Sequence, residues 1–219
     1  MEAARVTTIY LIRHGHTVDG DEERYKGHID VELSEEGRRQ VRELAKGLRS
    51  AEYLPDVIYS SDLIRARESA AIIGREFNLG TLIREGLRER GFGVWEGMSF
   101  EEIASGYPDE FKKWKEDPLN FSPPGGESTL EVHIRVRRVL RGVLDRHEGE
   151  TVFLVSHGGV NRVLLAHLMG LPLENIFRIE QDYGCVNRIR FFEDGFSLIM
   201  LVNGIFYSKR SNKNRIIQR

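Results

Sequence analysis

Apolar runs that end abruptly in polar residues recur along this chain and predict the strands of a buried sheet. Residues 7–12 are β-branched, aromatic or aliphatic without helical spacing, and residues 151–155 repeat the pattern. Such runs are typical of strands buried on both faces of a parallel sheet. An Asp-Gly pair at residues 194–195 predicts a hairpin between two further runs. The predicted strands are residues 7–12, 56–59, 81–84, 151–156, 186–192 and 196–203.

Helical spacing of apolar residues alternates with these runs. Ser34 is a good N-cap, and Val41, Leu44 and Leu48 after it form one apolar face. Similar patterns predict helices near residues 62–77, 129–144 and 158–169. Alternating strands and helices favour an α/β fold, here a three-layer α/β/α arrangement around a mostly parallel sheet.

Residues 98–127 interrupt this alternation. A capping box at Ser99 and Glu102 and turn residues such as Gly106 and Pro108 predict short helices. The aromatic residues here either pack together or face a ligand, and packing is the commoner fate; they are Phe100, Tyr107, Phe111 and Trp114. We expect one domain over residues 1–207, with residues 98–127 as a helical cap and residues 208–219 as a basic, solvated tail.

Composition narrows the classes of partner. The 219 residues carry 32 Lys and Arg against 34 Asp and Glu, a formal net charge of -2. This balance gives no general reason to expect binding to nucleic acid or an anionic membrane. The single cysteine, Cys185, forms no internal disulfide, and we see neither a cleavable leader nor a long apolar span. We therefore expect an unprocessed, soluble, cytoplasmic protein.

Two predicted strands each deliver a histidine to the same edge of the sheet. Arg13-His14-Gly15 follows the first, and His157 follows the strand at residues 151–156. We expect Gly15 to let the backbone turn and approach a ligand closely. Two imidazoles beside a guanidinium match the charge and size of a phosphate monoester. The predicted partner is therefore a small phosphorylated metabolite.

Five motifs in fixed order carry a family resemblance: RHGHT, SSDLIRA, LRERGFGVWEG, PPGGES and SHGGVNR. Over about residues 7–190 the chain resembles the histidine phosphatase superfamily, the phosphoglycerate mutase-like group. The resemblance implies that fold and a site in which Glu89 is the proton donor. On the residues and this resemblance together, we predict His14, Glu89 and His157 as catalytic and Arg13, Arg65, Thr17 and Gly158 as phosphate-binding.

The chemistry expected from these residues is two-step transfer through a phosphohistidine on His14, with no metal and no cofactor. Arg65 lies in the first turn of its helix, so its guanidinium and the helix N-terminus are expected to address the same anion. Only the family motif selects Glu89 over nearby Glu85 and Glu96. The residues after the acid, 90–93, differ from the Arg-His-Tyr-Gly usual in cofactor-dependent mutases, which favours a phosphatase.

Two positions depart from the family pattern, and several other charged residues are expected to lie outside the site. His16 replaces a common acid or Gln, and Asp19 would disfavour a phosphate unless it points away. Other residues are expected to face solvent or to pack without a role in the site; they are His28, His133, His147, His167, Arg135, Arg138 and Arg141.

Alternatives remain open at this point. His14 and His16 also suit a metal-dependent hydrolase, since two histidines one residue apart at a strand end bind zinc. Mutase-type transfer and a phosphoester-binding module that has lost catalysis are the others. The C-terminal third looks most like α-ribazole phosphatase-like or broad-specificity bacterial phosphatases, which suggests α-ribazole 5'-phosphate as substrate. The oligomeric state stays open, with a homodimer as the common form.

Overall fold

The computed structural model describes residues 5–207 and contains one six-stranded sheet. The basic tail predicted at residues 208–219 lies outside the described residues. The strands are β1 (Val6–Arg13), β2 (Val57–Ser60), β3 (Thr81–Ile83), β4 (Thr151–Ser156), β5 (Val186–Phe192) and β6 (Ser197–Gly204). Their order across the sheet is β3-β2-β4-β1-β5-β6.

The sheet is mostly parallel, as the sequence predicts. β1 and β2 both pair parallel with β4, and β3 pairs parallel with β2. β5 runs antiparallel between β1 and β6. In the β1–β4 ladder Arg13 lies opposite Ser156. Because both strands end at this register, the residues that follow them, His14 and His157, emerge side by side.

Helices cover both faces of the sheet. They are α1 (Glu35–Ser50), α2 (Ile64–Phe77), α3 (Phe100–Gly106), α4 (Pro108–Glu116), α5 (Thr129–Leu144) and α6 (Gly158–Met169). One apolar cluster joins the sheet to α5 and α6, and a second joins its other face to α1 and α2. The three-layer α/β/α prediction is confirmed. Within residues 5–207 no helix is long and apolar enough to cross a membrane.

The helix N-caps predicted from the sequence are present in the structure. Ser34 accepts a hydrogen bond from Gly37 N at the start of α1, and Ser99 and Ser128 form capping boxes with Glu102 and Glu131. Three 3-10 helices of the described residues were not predicted: Glu85–Leu87, Gly93–Trp95 and, after α6, Leu173–Arg178.

Gly15 serves the packing of the fold, which corrects the expectation that it makes room for a ligand. A Cβ at this position would lie 2.5 Å from the Gly37 carbonyl oxygen and 2.9 Å from a Val41 methyl. The backbone after β1 therefore passes directly against α1. A side chain here would push the turn that carries His14 away from that helix.

Candidate active site

His14 and His157 lie together at the carboxyl ends of β1 and β4. Both are buried, and their ring centroids are 5.1 Å apart. In α/β sheets this edge is where ligands bind. We call Arg13, His14, Arg65, Glu89 and His157 the histidine cluster, because the structure brings these five predicted residues to one place.

A backbone contact fixes the tautomer of His14. Its Nδ1 lies 2.8 Å from the Gly15 carbonyl oxygen, which is an acceptor only, so Nδ1 carries the proton. Burial lowers the pKa of His14 well below 6.5, and the charges of Arg65 and Arg13 lower it further. The ring is therefore neutral, with its lone pair on Nε2. This is the form that a nucleophilic histidine requires.

His157 is held in the opposite tautomer. Arg65 Nε donates to His157 Nδ1 at 3.3 Å, so the proton of the neutral ring lies on Nε2. Burial lowers the pKa of His157 as well, with Arg65 the next cause. Within the described chain His157 Nε2 has no hydrogen-bond partner. A buried N–H donor therefore stands next to His14, free to bind an anionic oxygen.

Arg65 is buried in the first turn of α2 and orders the surrounding loops. Its Nη1 donates to Ile29 O at 2.8 Å and its Nη2 to Gly27 O at 2.7 Å. With Nε bound to His157, three of its five N–H donors are used and two remain. Burial lowers the pKa of this guanidinium.

The N-terminus of α2 is not free for an anion, contrary to the expectation from the sequence. Ile64 N donates to Asp30 Oδ1 at 2.7 Å, so a carboxylate of the protein itself occupies this position. The Arg65 guanidinium, by contrast, keeps two N–H donors unused.

Arg13 is fixed from the side of β5. Its Nη1 donates to Gln181 O at 2.6 Å, and its guanidinium lies 3.9 Å from the centroid of the Tyr183 ring. In the described residues the buried Nε of Arg13 and the buried hydroxyl of Thr17 have no hydrogen-bond partner. Both are predicted phosphate-binding residues, and both line the cavity described below.

Glu89 reaches the cluster from the loop after β3. One carboxylate oxygen accepts from Arg90 N at 2.9 Å and the other from Gly159 N at 3.0 Å. A Cβ at Gly159 would overlap the Glu89 carboxylate, so a larger residue here would displace that carboxylate from its present position. Gly158, predicted to bind phosphate, is the first residue of α6 and packs beside Arg13, while Gly159 lines the cavity.

The structure separates Glu89 from its two neighbours in sequence. Glu89 lines the cavity, whereas Glu85 is exposed in a 3-10 turn. Glu96 accepts from His28 N and Phe92 N and so holds two loops together. Of these three acids, Glu89 is the one whose side chain lines the cavity.

Two residues expected to be uninvolved hold Glu89 in place. Arg135 donates to Arg88 O, to Glu89 O and to both carboxylate oxygens of Glu127, which corrects its assignment to the solvated face of α5. His28 Nε2 donates to Glu89 O at 2.8 Å. Neither contact has a signal in the sequence, because both depend on how the loop at residues 84–91 folds.

A cavity of about 310 Å³ is lined by four members of the histidine cluster, Arg13, His14, Arg65 and Glu89. Sequence reasoning missed Tyr183 and Arg162 among its lining residues. A signal for Tyr183 was present: residues 181–184 immediately precede β5, and the amino end of an antiparallel strand lies at the edge where β1 ends. The structure also brings Phe100, Phe111, Trp114 and Phe177 to the cavity.

His16 and Asp19 take no direct part in the cluster. His16 Nδ1 bonds to Ser34 Oγ at 2.8 Å, and its Nε2 lies 3.3 Å from Asp21. Asp19 is exposed, and its side chain does not line the cavity. Residues 5–207 contain no group of three or more His, Cys, Asp or Glu side chains arranged to hold a metal ion.

Comparison with known proteins agrees with this geometry. The sequence profile of the histidine phosphatase superfamily (branch 1) matches residues 9–204. Phosphoserine phosphatase 1 of Hydrogenobacter thermophilus is 37% identical over 179 residues, 82% of this chain and 82% of that protein. Glucosyl-3-phosphoglycerate phosphatase of Mycolicibacterium vanbaalenii is 33% identical over 178 residues, 78% of each. A longer bifunctional protein of Mycobacterium tuberculosis is 34% identical, and the match covers 55% of its length.

Solved structures show the same relationship. The alpha-ribazole phosphatase of Shigella flexneri superposes with a TM-score of 0.81 at 28% identity. The match covers 90% of this chain and 96% of that one. The named relatives act on chemically different phosphate esters, so the comparisons identify the reaction more closely than the substrate.

Proposed function

The chain belongs to the histidine phosphatase superfamily and is a phosphatase, and we propose that it hydrolyses a small phosphate monoester through a phosphohistidine on His14 without a metal ion. The observation that carries this proposal is the pair of opposed tautomers. His14 presents a lone pair on Nε2, and His157 presents a proton on its own Nε2. A nucleophile and an oxygen-binding donor thus stand side by side, with Arg13 and Arg65 next to them.

In the first step His14 Nε2 attacks phosphorus and the bond to the ester oxygen breaks. Arg13, Arg65 and the His157 N–H stabilise the charge on the non-bridging oxygens, which is the largest expected contribution in a buried site. Protonated Glu89 gives its proton to the departing oxygen, so the alcohol leaves neutral.

In the second step Glu89, now a carboxylate, takes a proton from water. The water oxygen attacks phosphorus, the phosphorus–nitrogen bond breaks, and His14 recovers its lone pair. Glu89 is suited to both steps because backbone N–H groups of Arg90 and Gly159 hold its two oxygens in place. Inorganic phosphate then leaves, and water is the only co-substrate.

For the substrate we propose α-ribazole 5'-phosphate as the first compound to test. Support comes from the structural similarity to the alpha-ribazole phosphatase of Shigella flexneri. Phosphoserine is the comparison compound, because the relative with 37% identity is named for it.

The test is phosphate release from p-nitrophenyl phosphate in excess EDTA, with His14→Ala beside the wild type. We expect the wild type to turn over and His14→Ala to be inactive. Activity that EDTA abolishes and zinc restores would replace this mechanism with a metal site at His14 and His16. Equal activity of the two proteins would remove His14 as the nucleophile.

A further inference from the structure

The cavity continues from the histidine cluster to a set of aromatic side chains, which we call the aromatic wall: Phe100, Phe111, Trp114 and Phe177. Phe100 packs edge-to-face on Phe111, with centroids 4.9 Å apart, and on Trp114 at 6.1 Å. Phe177, on the 3-10 helix after α6, is 70% exposed.

The aromatic wall is not part of the core of the protein. The two apolar clusters of the described residues contain none of its members. α4, which carries Phe111 and Trp114, has no buried residue along its whole length. These rings therefore leave apolar area in contact with the cavity, where burial by a ligand is favourable.

The charges around the cavity disfavour a positively charged alcohol group on this surface. Its lining carries six cationic side chains, Arg13, Arg24, Lys26, Arg65, Arg90 and Arg162, against the carboxylates Glu89 and Glu174. Two of the six are paired with carboxylates outside the lining, Arg24 with Glu22 and Glu102 and Arg162 with Glu180, and the other four leave an excess of positive charge. One face of Phe111 already has a cation near it, since Lys115 Nζ lies 5.0 Å from the ring centroid. A substrate ammonium group would meet a surplus of positive charge here, whereas a neutral apolar group would not.

We propose that the alcohol part of the substrate is a neutral aromatic or similarly apolar group that binds against Phe100, Phe111, Trp114 and Phe177. The inference rests on the proposed function, because the phosphate must occupy the histidine cluster for this group to reach the wall. A cavity of about 310 Å³ lies in the range of ligand pockets and exceeds what phosphate alone needs. An amino-acid ester such as phosphoserine falls outside the proposed class.

The experiment compares naphthylethyl phosphate, ethyl phosphate, phosphocholine and phosphoserine in excess EDTA. All four are esters of primary alcohols, so differences in kcat/KM report mainly on binding of the alcohol part. We expect naphthylethyl phosphate to exceed each of the others in kcat/KM by about 30-fold or more, from the apolar area that it buries. A preference for phosphoserine or phosphocholine, or equal turnover of all four, would overturn the inference while leaving the proposed function intact.

Phe111→Ala and Trp114→Ala test the residues themselves. Each should reduce the naphthylethyl-to-ethyl ratio of kcat/KM by about 5- to 10-fold, a ratio from which any general loss of phosphate chemistry cancels. Alanine is the best helix former and α4 has no buried residue, so both variants should fold. Lys113→Ala, at an exposed position of the same helix, should leave the ratio unchanged.

Two further outcomes are decisive. A high wild-type ratio that neither alanine variant lowers would overturn the assignment of the binding surface to this wall. Absence of turnover with all four esters and with p-nitrophenyl phosphate would instead reject the proposed function, and the inference would fail with it.

Discussion

The histidine cluster and the aromatic wall share one cavity but are held in place by different means. In the cluster, hydrogen bonds from neighbouring loops fix each ring and charge, as Gly15 O does for His14 and Gln181 O does for Arg13. In the wall, rings contact one another on α3 and α4, and the latter has no buried residue. Rigid polar contacts suit chemistry on one fixed phosphate group, while a surface of loosely buried rings suits selection among alcohols.

Removal of the proposed nucleophile should have the largest effect on activity. His14→Ala should lower kcat/KM by at least about 10⁴-fold for ethyl and naphthylethyl phosphate alike, because it abolishes the first step for both esters. Steady-state kinetics on the two esters checks this. A loss confined to one ester would show that His14 acts in substrate selection.

Arg65→Gln should have the next largest effect. The change removes a buried positive charge and the N–H donors left for phosphate, and we expect a loss of about 10²- to 10³-fold in kcat/KM. Arg67→Gln, on the exposed face of the same helix, is the matched control and should stay within twofold of the wild type, about the effect of an ordinary surface change. Equal losses in both variants would indicate a general effect on α2.

Glu89→Gln should slow the cleavage of an alkyl phosphate much more than that of p-nitrophenyl phosphate. Without a proton donor, the rate of the first step should fall by about 10²-fold or more with ethyl phosphate. With p-nitrophenyl phosphate it should fall by less than about tenfold, because nitrophenolate leaves without a proton. Burst-phase kinetics isolates that step. Glu85→Gln at an exposed position is the control. The same loss with both esters would contradict the role of Glu89 as an acid.

The stability of the fold should depend on pH because of the buried histidines. This effect should be the smallest of the four predicted effects. His14 and His157 have pKa values lowered well below 6.5 in the folded protein, so below about pH 6.5 the unfolded chain binds protons that the folded protein does not. The free energy of unfolding should therefore fall as pH falls, by up to about 1.4 kcal/mol per pH unit for each histidine.

Urea unfolding of the wild type and a His14→Gln/His157→Gln variant between about pH 7.5 and 5.5 measures this dependence. The variant should lose less stability over that interval. Parallel curves for the two proteins would show that neither histidine is kept neutral by burial.

Much of the histidine cluster was predictable because its residues follow strands. In a mostly parallel sheet the ends of β1 and β4 must meet at one edge, so the motifs containing His14 and His157 had to converge. The caps at Ser34, Ser99 and Ser128 were readable for a similar reason, since each depends on neighbours within three residues.

The contacts made by loops were not predictable. Gln181 and Arg135 reach the cluster from 168 and 46 residues away in sequence, through backbone carbonyl groups that no side-chain pattern reveals. The aromatic residues at 100–114 were expected either to pack together or to face a ligand, and their spacing in the sequence could not decide between the two. Gly15 looked like space for a ligand and instead makes space for α1.

The stereochemical course at phosphorus distinguishes a phosphohistidine intermediate from direct attack of the acceptor on the ester. A primary alkyl phosphate made chiral at phosphorus with oxygen isotopes would be cleaved in excess EDTA, with the phosphoryl group transferred to an acceptor alcohol. Each in-line displacement inverts the phosphorus centre. Two displacements, on His14 and then on the acceptor, predict overall retention. Overall inversion would mean a single direct displacement and would contradict the phosphohistidine mechanism.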